Sequence, residues 1–351
     1  MSTVTLQNIS KNFKDVAALE DVSLQVQDGE FFVLLGPTGA GKTTTLRVIA
    51  GLEKQDAGDI LFDDALVNDL PPADRDTAFV FQQYSLYPNM TVFENLAFPL
   101  QSPLRRLPKD DIQRRVTEAA EKLHISHLLD RKTGKLSGGE MQRVSIGRAI
   151  VREPRIYLMD EPLSNLDAKL REALRVELEH LQKVQHSTTL FVTHDQIEAL
   201  TMADRIAVLD QGRILQIGTP HDIYDRPATT FVATLVGTPR INLLDAARDN
   251  GTLHIKDTDL RTETPADKTI PADLLVGIRP EDIRPAADGS FSGEITLIEP
   301  LGVETILHIR TGSVTLLSLV AGTLPFTLGA NITFEIVRDR LHYFEPGGAR
   351  L

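Results

Sequence analysis

A glycine-rich segment that ends in a lysine and two threonines is the part of this 351-residue sequence best suited to chemistry: Gly36-Pro37-Thr38-Gly39-Ala40-Gly41-Lys42-Thr43-Thr44. An apolar run precedes the segment and a helical pattern follows it, the context in which such a sequence cradles phosphate groups. Its glycines let backbone N–H groups surround phosphate oxygens, and the start of the helix adds a positive dipole end. Lys42 would contact the β and γ phosphates of a nucleotide, and the Thr43 hydroxyl would coordinate Mg²⁺. A glycine-rich turn with a surface lysine is the competing interpretation.

Two adjacent carboxylates end a second apolar run, Ile156-Tyr157-Leu158-Met159-Asp160-Glu161. Taken alone, the pair fits a structural role, as a helix cap or a solvated strand end, as well as it fits a functional one. Downstream of a phosphate-binding segment, a carboxylate at the end of a neighbouring strand can hold Mg²⁺, and we assign this role to Asp160. The next side chain projects differently and can polarise the attacking water, so Glu161 is the predicted general base.

Two further features follow the glycine-rich segment along the chain. The first is Leu136-Ser137-Gly138-Gly139-Glu140, which taken alone fits a capped helix after a tight turn. The hydroxyl of Ser137 and the glycine N–H groups at the start of a helix would form an anion site. The second is His194, which ends the apolar run at residues 190–193. A lone histidine is usually structural, but one at the tip of a buried strand is a candidate for contacting the γ phosphate.

Taken together, these motifs resemble those of the ATPase subunit of ATP-binding cassette (ABC) transporters, and the resemblance covers residues 3 to 237. It implies that the nucleotide is ATP and that residues 137–140 bind the γ phosphate of ATP held on the opposite subunit. Two identical protomers would then sandwich two ATP molecules. The last position of this family segment is most often Gln, so Glu140 is a departure that brings a carboxylate near the phosphate.

The resemblance also assigns roles to residues that their chemistry alone does not single out. Gln82, in Val80-Phe81-Gln82, would reach Mg²⁺ and the attacking water, although the adjacent Gln83 is chemically equivalent. Asp167, in Ser164-Asn165-Leu166-Asp167, would lie at the dimer interface. His194 would contact the γ phosphate during hydrolysis. Phe13 would stack on adenine, a role that phenylalanine can fill because stacking requires only an aromatic face. The alternative for Phe13 is packing in the core.

The positions of these residues depend on a pattern of strands and helices. Five short apolar runs predict strands buried on both faces, as in a parallel sheet: residues 31–35, 78–81, 156–159, 190–193 and 206–209. The stretches between the first four runs can hold helices, which indicates an α/β fold. Alternating apolar residues before a turn at Asp28-Gly29 predict a small antiparallel sheet. Helical patterns over about residues 85–155 predict an inserted helical subdomain with helices at 110–123 and 142–151, and another helix follows at 168–184.

The hydrophobic pattern of the sequence changes after Gly237, where long helical patterns are replaced by short runs of alternating apolar and polar residues. Runs at 294–298, 305–309, 314–320 and 332–337 predict a small β-barrel or sandwich. The predicted fold is therefore an α/β, phosphate-loop ATPase cassette over residues 1–237, followed by an all-β accessory domain over residues 238–351. The motif Gly277-Ile278-Arg279-Pro280-Glu281-Asp282 resembles one in the OB-like (TOBE) domain of importer ATPases for sugars and related solutes, which implies that this domain supports the dimer.

Composition and charge narrow the classes of protein to which the chain can belong. It has no cysteine, so disulfides and thiolate metal sites are excluded. The net charge is −12, and both predicted domains are acidic, which argues against nucleic acid as a partner. We find no signal-peptide core and no apolar run long enough to span a membrane. If the protein acts at a membrane, other subunits must supply the membrane-spanning part.

The predicted function is ATP hydrolysis in a homodimer, coupled to solute uptake through two integral membrane permease subunits. A solute-binding protein would take part indirectly, and the chain would lie peripherally on the cytoplasmic face of the inner (plasma) membrane. The solute would be a sugar, polyol or sugar phosphate. Contacts with the membrane subunits are expected over about residues 82–98, where Tyr84, Tyr87 and Phe93 are candidates, with core packing as the alternative.

Three other classes of protein compete with this prediction. A soluble cassette ATPase of repair or translation usually carries two cassettes or a coiled-coil insertion, and this chain has neither. A phosphate-loop kinase would leave residues 136–140 unexplained. A regulator that binds ATP without turnover would leave Glu161 and His194 unexplained.

Overall fold

The computed structural model describes residues 2–102, 107–249, 251–264, 270–322 and 325–351. The chain divides into two compact units, Met1–Pro220 and His221–Leu351. This division lies before Gly237, where the hydrophobic pattern of the sequence changes. The domain boundary at residues 237/238 stays a prediction. Within the described ranges, every helix is too short or too polar to cross a membrane.

The first unit contains two sheets and six α-helices in its described residues. Its strands are β1 (Val4–Phe13), β2 (Val16–Val26), β3 (Phe31–Leu35), β4 (Ala57–Phe62), β5 (Ala65–Leu66), β6 (Thr77–Val80), β7 (Ile156–Asp160), β8 (Thr189–Thr193), β9 (Arg205–Asp210) and β10 (Arg213–Gly218). Its helices are α1 (Lys42–Ile49), α2 (Val92–Ala97), α3 (Lys109–Lys122), α4 (Gly138–Ile150), α5 (Ala168–Gln185) and α6 (Gln196–Met202).

The larger sheet has the strand order β10-β9-β3-β8-β7-β6. All its neighbouring strands pair in parallel except β10, which is antiparallel to β9. Every residue of β3, β7 and β8 is buried, which confirms the interpretation of the apolar runs as strands covered on both faces. Because parallel strands end at the same edge of a sheet, the loops after β3, β6, β7 and β8 meet there.

The smaller sheet is antiparallel, with the order β2-β1-β4-β5. Val4, Leu6 and Ile9 of β1 are buried and share one core with α1 and the larger sheet. The predicted antiparallel sheet is thus confirmed. Its β1–β2 turn is at residues 14–15, however, and the turn at Asp28-Gly29 connects β2 to β3.

Helices α2, α3 and α4 lie between β6 and β7 in the sequence, which confirms the inserted helical segment. Helix α3 begins directly after Pro108, as predicted. Helix α4 begins at Gly138, earlier than the predicted start at residue 142. Ser137 and Glu140 form a capping box there, which starts the helix among glycines that otherwise disfavour it.

The second unit is mostly antiparallel β-structure. Helices α7 (Pro220–Asp225) and α8 (Thr230–Leu235) are followed by ten strands within the described residues: β11 (Asn242–Asp249), β12 (Thr252–Ile255), β13 (Arg261–Glu263), β14 (Asp273–Ile278), β15 (Ile283–Pro285), β16 (Phe291–Pro300), β17 (Glu304–Thr311), β18 (Val314–Ala321), β19 (Asn331–Ile336) and β20 (His342–Phe344). They form two five-stranded sheets, β13-β12-β11-β14-β20 and β15-β19-β16-β17-β18, over one apolar core. The four runs predicted from residue 294 onward are strands β16 to β19, so the all-β prediction is confirmed.

Arg279, which follows β14, holds the two helices of this unit. The side chain is 1% exposed, and its guanidinium donates to the carbonyls of Tyr224 (2.8 Å), Ala233 (3.1 Å) and Val236 (2.6 Å). The guanidinium carbon also lies 4.0 Å from the ring centroid of Tyr224. Carbonyls at the ends of helices lack partners within the helix, so Arg279 satisfies groups that burial would otherwise penalise.

Candidate functional site

The phosphate loop, residues 36–44, connects β3 to α1. At two of its glycines, the side chain of any other residue would clash with a neighbouring backbone carbonyl. A Cβ added to Gly36 would lie 2.2 Å from the carbonyl oxygen of Leu209, and one added to Gly41 would lie 2.5 Å from that of Ala18. Gly41 also has φ of 107°, in the left-handed region. Gly39 has φ of 85°, but a Cβ there would meet nothing within 4 Å. The loop is therefore packed tightly at its two ends and open in its middle, where a phosphate group has room.

The side chain of Lys42 lies within the loop. Its ammonium nitrogen donates to the carbonyl oxygens of Gly36 and Pro37, both at 3.0 Å, and lies 3.3 Å from Glu161 Oε1. Only 4% of the Lys42 side chain is exposed. A buried ammonium group requires anionic or carbonyl partners, and an incoming phosphate is a stronger partner than a carbonyl oxygen.

Thr43 and Asp160 face each other across the ends of α1 and β7. Thr43 Oγ1 donates to Asp160 Oδ1 at 2.9 Å. Burial raises the pKa of Asp160, and the hydrogen bond from Thr43 opposes that rise. A hydroxyl and a carboxylate side by side are the hard oxygen ligands that Mg²⁺ prefers, so these two residues fit the ion.

Glu161 lies between two cationic or potentially cationic groups. Its Oε1 faces Lys42, and its Oε2 lies 3.0 Å from His194 Nδ1. The backbone of Glu161 has φ of 43°, an unfavourable conformation for this residue type. The backbone N–H donates to the carbonyl of Val192, and the carbonyl accepts from the Ser164 hydroxyl at 2.9 Å. These bonds hold the strained conformation in place.

Gln82 approaches Glu161 rather than the Thr43–Asp160 pair. Its Nε2 lies 3.5 Å from both Glu161 Oε2 and Ser164 Oγ. Asn165 Nδ2 donates to the backbone carbonyl of Gln82 at 3.0 Å. Ser164 and Asn165 were not among the predicted site residues. Their position beside Asp167 in one short motif was the only signal that could have found them. Asp167 itself caps α5, accepting from the N–H of Leu170 at 3.0 Å.

Phe13 ends β1 and is 43% exposed. The ammonium of Lys11 lies 5.1 Å from the centroid of its ring. Ala18 of the neighbouring strand β2 lies against Gly41, so the β1–β2 hairpin runs past the phosphate loop. An exposed ring at this position is available for stacking, and the core-packing alternative for Phe13 is wrong.

The signature segment, residues 136–140, forms the start of α4. Ser137 accepts from the N–H of Glu140, and the Glu140 carboxylate accepts from the N–H of Ser137 at 2.7 Å. A Cβ on Gly139 would lie 2.0 Å from Leu170 Cδ2, so a larger residue there would require the Leu170 side chain to move. In the described part of the chain, no hydrogen bond or ion pair joins Ser137 or Glu140 to the phosphate loop, Asp160 or Glu161. Lys42, Gln82 and His194 all approach Glu161, and Thr43 bonds to the adjacent Asp160, whereas the signature segment stays apart from these groups.

The sequence matches the family model described as ABC transporter over residues 19–164 and the one described as TOBE domain over residues 276–344. The trehalose/maltose import ATP-binding protein of Thermococcus litoralis is 45% identical, with 98% of each chain covered. The sn-glycerol-3-phosphate import ATP-binding protein of Rhizobium meliloti is 46% identical, with 100% of each covered. A dimeric ATP-binding cassette solved in a post-hydrolysis state with ADP and Pi superimposes with a TM-score of 0.56 and 32% identity, covering 62% of this chain and 98% of that one.

Proposed function

The chain belongs to the ABC transporter family of ATP-binding proteins, and from this premise we propose that two copies close around two ATP molecules to drive uptake through separate membrane subunits. It is an ATPase, the ATP-hydrolysing subunit of an importer for a sugar or sugar phosphate. A polyol is the further candidate for the solute.

The proposal of a homodimer is supported by the separation of the predicted site residues into two groups within one chain. Lys42, Glu161 and His194 converge on one place, while Ser137 lies outside their network. Ser137 is exposed at the start of α4 and is therefore accessible to a second molecule. A helix start with an exposed hydroxyl is an anion site, and the terminal phosphate of ATP on a facing protomer is the anion that we assign to it.

Each converging residue has a distinct role in this proposal. Lys42 exchanges its contact with Glu161 for the β and γ phosphates, and Glu161 then accepts a proton from the attacking water. His194 donates to the γ phosphate, and the amide of Gln82 orients the water. Thr43 and Asp160, with Gln82, would hold Mg²⁺, which supplies charge neutralisation on the phosphates when bound. Asp167 would lie at the interface between protomers, and Phe13 would stack on the adenine.

The surface after β6 is the proposed contact with the membrane subunits. Tyr87 is 40% exposed and Phe98 43%, with their ring centroids 4.6 Å apart, whereas Tyr84 and Phe93 are half-buried. Exposed aromatic pairs of this kind are enriched where proteins bind one another. Tyr87 is therefore the strongest of the three predicted contacts. Two permease subunits bound here would hold the protein on the cytoplasmic face of the inner membrane, with a solute-binding protein acting indirectly and the second unit supporting the dimer.

Copurification followed by reconstitution tests the proposal. The protein should copurify with two integral membrane subunits, and the reconstituted complex should release Pi from ATP faster when its solute is present. Transfer of the phosphate to a metabolite would instead indicate a kinase. Nucleotide binding without Pi release from the wild-type complex would indicate a regulator.

A further inference from the structure

The hydroxyl of Ser137 is already engaged within its own protomer. Ser137 Oγ lies 2.9 Å from Glu140 Oε2 and accepts from the N–H of Glu140 at 3.4 Å. The same carboxylate oxygen accepts from the N–H of Ser137 at 2.7 Å. Since an ionised carboxylate only accepts hydrogen bonds, the hydroxyl proton of Ser137 points at Glu140.

This arrangement conflicts with binding an anion. A phosphate oxygen is also only an acceptor, so Ser137 can bind it only by withdrawing its proton from Glu140. The freed carboxylate would then lie close to a second negative charge. The Ser137 contacts hold the pKa of Glu140 below its usual range, and Arg131 and His127 add to this effect, so Glu140 is charged at neutral pH.

A second partner for the carboxylate lies nearby. Arg131 Nη1 is 3.8 Å from Glu140 Oε1, the oxygen that does not face Ser137. The two groups already form an ion pair at this distance, and both side chains are partly exposed, 50% for Arg131 and 30% for Glu140. Glu140 thus has one partner that excludes phosphate and another that leaves Ser137 free.

We propose that Glu140 is a positioning residue that withholds the Ser137 hydroxyl from nucleotide until the carboxylate moves to Arg131. The proposal rests on the proposed function, in which Ser137 binds ATP of a facing protomer. Each composite site then forms at the cost of one charge-assisted hydrogen bond. Glu140 weakens the ATP-bound dimer and favours its reopening.

Glu140→Gln is the variant that separates this role from helix capping. Glutamine is equally able to complete a capping box, so α4 retains its start, but its neutral amide holds the Ser137 hydroxyl less strongly. Glu94→Gln is the matched control. Thr91 and Glu94 form the same capping box on α2, with the Thr91 N–H at 2.7 Å from Glu94 Oε2.

The experiment measures ATP-dependent dimerisation by analytical ultracentrifugation, with Glu161→Gln present in every protein to suppress hydrolysis. Glu140→Gln should tighten the dimer by roughly 5-fold for each composite site, or about 25-fold for two, from the difference between charged and neutral hydrogen bonds. Glu94→Gln should leave the dimer unchanged. In a Ser137→Ala background, the effect of Glu140→Gln should largely disappear.

The outcomes separate the inference from the function on which it rests. If Ser137→Ala weakens the dimer but Glu140→Gln does not tighten it, the role of Glu140 is wrong and the composite site stands. An equal increase in dimer affinity from Glu94→Gln would also overturn that role, because the loss of one negative charge from the protein would then explain both results. If Ser137→Ala leaves dimerisation unchanged, the composite site and the role of Glu140 both fail.

Discussion

The ammonium of Lys42 lies 3.3 Å from Oε1 of Glu161, so the predicted phosphate-binding cation is paired with the predicted general base. Both side chains are largely buried, with 4% and 15% exposed. Removal of one partner from a buried ion pair leaves the other charge uncompensated, which makes this contact sensitive to what enters the site. In the proposed mechanism, a phosphate that binds Lys42 would replace Glu161 as its partner and would leave the carboxylate free to act on water.

Glu161→Gln should therefore separate binding from turnover. We expect steady-state Pi release to fall by about 10²–10⁴-fold, the range for loss of a general base. ATP binding should become a few-fold tighter, because a competing anion is removed from Lys42. Isothermal titration and a Pi-release assay measure the two effects. Glu172→Gln, an exposed position on α5, is the control. Turnover close to that of wild type would show that another group activates the water.

Phe13→Ala should weaken ATP binding, because it removes the exposed ring at the end of β1. Loss of a base-stacking aromatic costs about 1–3 kcal/mol, so we expect the Kd for ATP to rise about tenfold, with Phe13→Trp close to wild type. Leu66→Ala is the control, since Leu66 is 57% exposed in the same sheet. Equal affinities for the alanine and tryptophan variants at position 13 would rule out stacking there.

Arg279→Lys should destabilise the second unit despite conserving charge. One ammonium group cannot replace a planar guanidinium that serves three carbonyls, and each unsatisfied buried acceptor costs about 1–3 kcal/mol. We expect a loss of about 2 kcal/mol or more in the free energy of unfolding, measured by urea denaturation of the full chain. Arg284→Lys, at an exposed position, should change it little. A stability unchanged by Arg279→Lys would mean that these carbonyls do not depend on Arg279.

Asp282→Asn should remove a pH dependence of stability. Asp282 is 1% exposed, and burial raises its pKa in the folded protein, while Arg340 Nε at 3.2 Å opposes the rise. A carboxyl with a raised folded-state pKa contributes stability below its unfolded pKa, and the contribution is lost as pH increases through the folded pKa. The Tm of Asp282→Asn relative to wild type should thus increase between about pH 4 and pH 7. A decrease over this range would show that the ion pair with Arg340 outweighs burial.

The convergence of the predicted site residues could be expected from the sequence because they follow apolar runs that predict strands of one parallel sheet, and such strands end at the same edge. The loop after β3 and the carboxyl ends of β7 and β8 are neighbours at one sheet edge, and apolar runs mark these strands clearly. Side-chain contacts made through loops could not be predicted in this way. The bond from Asn165 to the carbonyl of Gln82 depends on the conformations of two loops, which no periodicity specifies.

The second unit could be predicted from the sequence only in part. The sheet β15-β19-β16-β17-β18 has strands rich in Ile, Leu and Val, whose alternation predicts it. Strand β11 buries Asn242, Leu244 and Ala246 on one side, and this mixture of polar and small residues gives a weak pattern. The motif at residues 277–282 was identified only by resemblance. Its physical reason, the bonds of Arg279 to the carbonyls that end α7 and α8, is a tertiary contact.

Complementation between two inactive variants tests the composite site most directly. Lys42→Ala disables the phosphate loop, Ser137→Arg disables the signature segment, and each should be inactive alone. A mixed dimer retains one site made of an intact loop and an intact signature segment from different chains. We therefore predict that mixing the two variants restores Pi release to a substantial fraction of the wild-type rate. A mixture of folded variants that dimerise and stay inactive would contradict a site shared between two protomers.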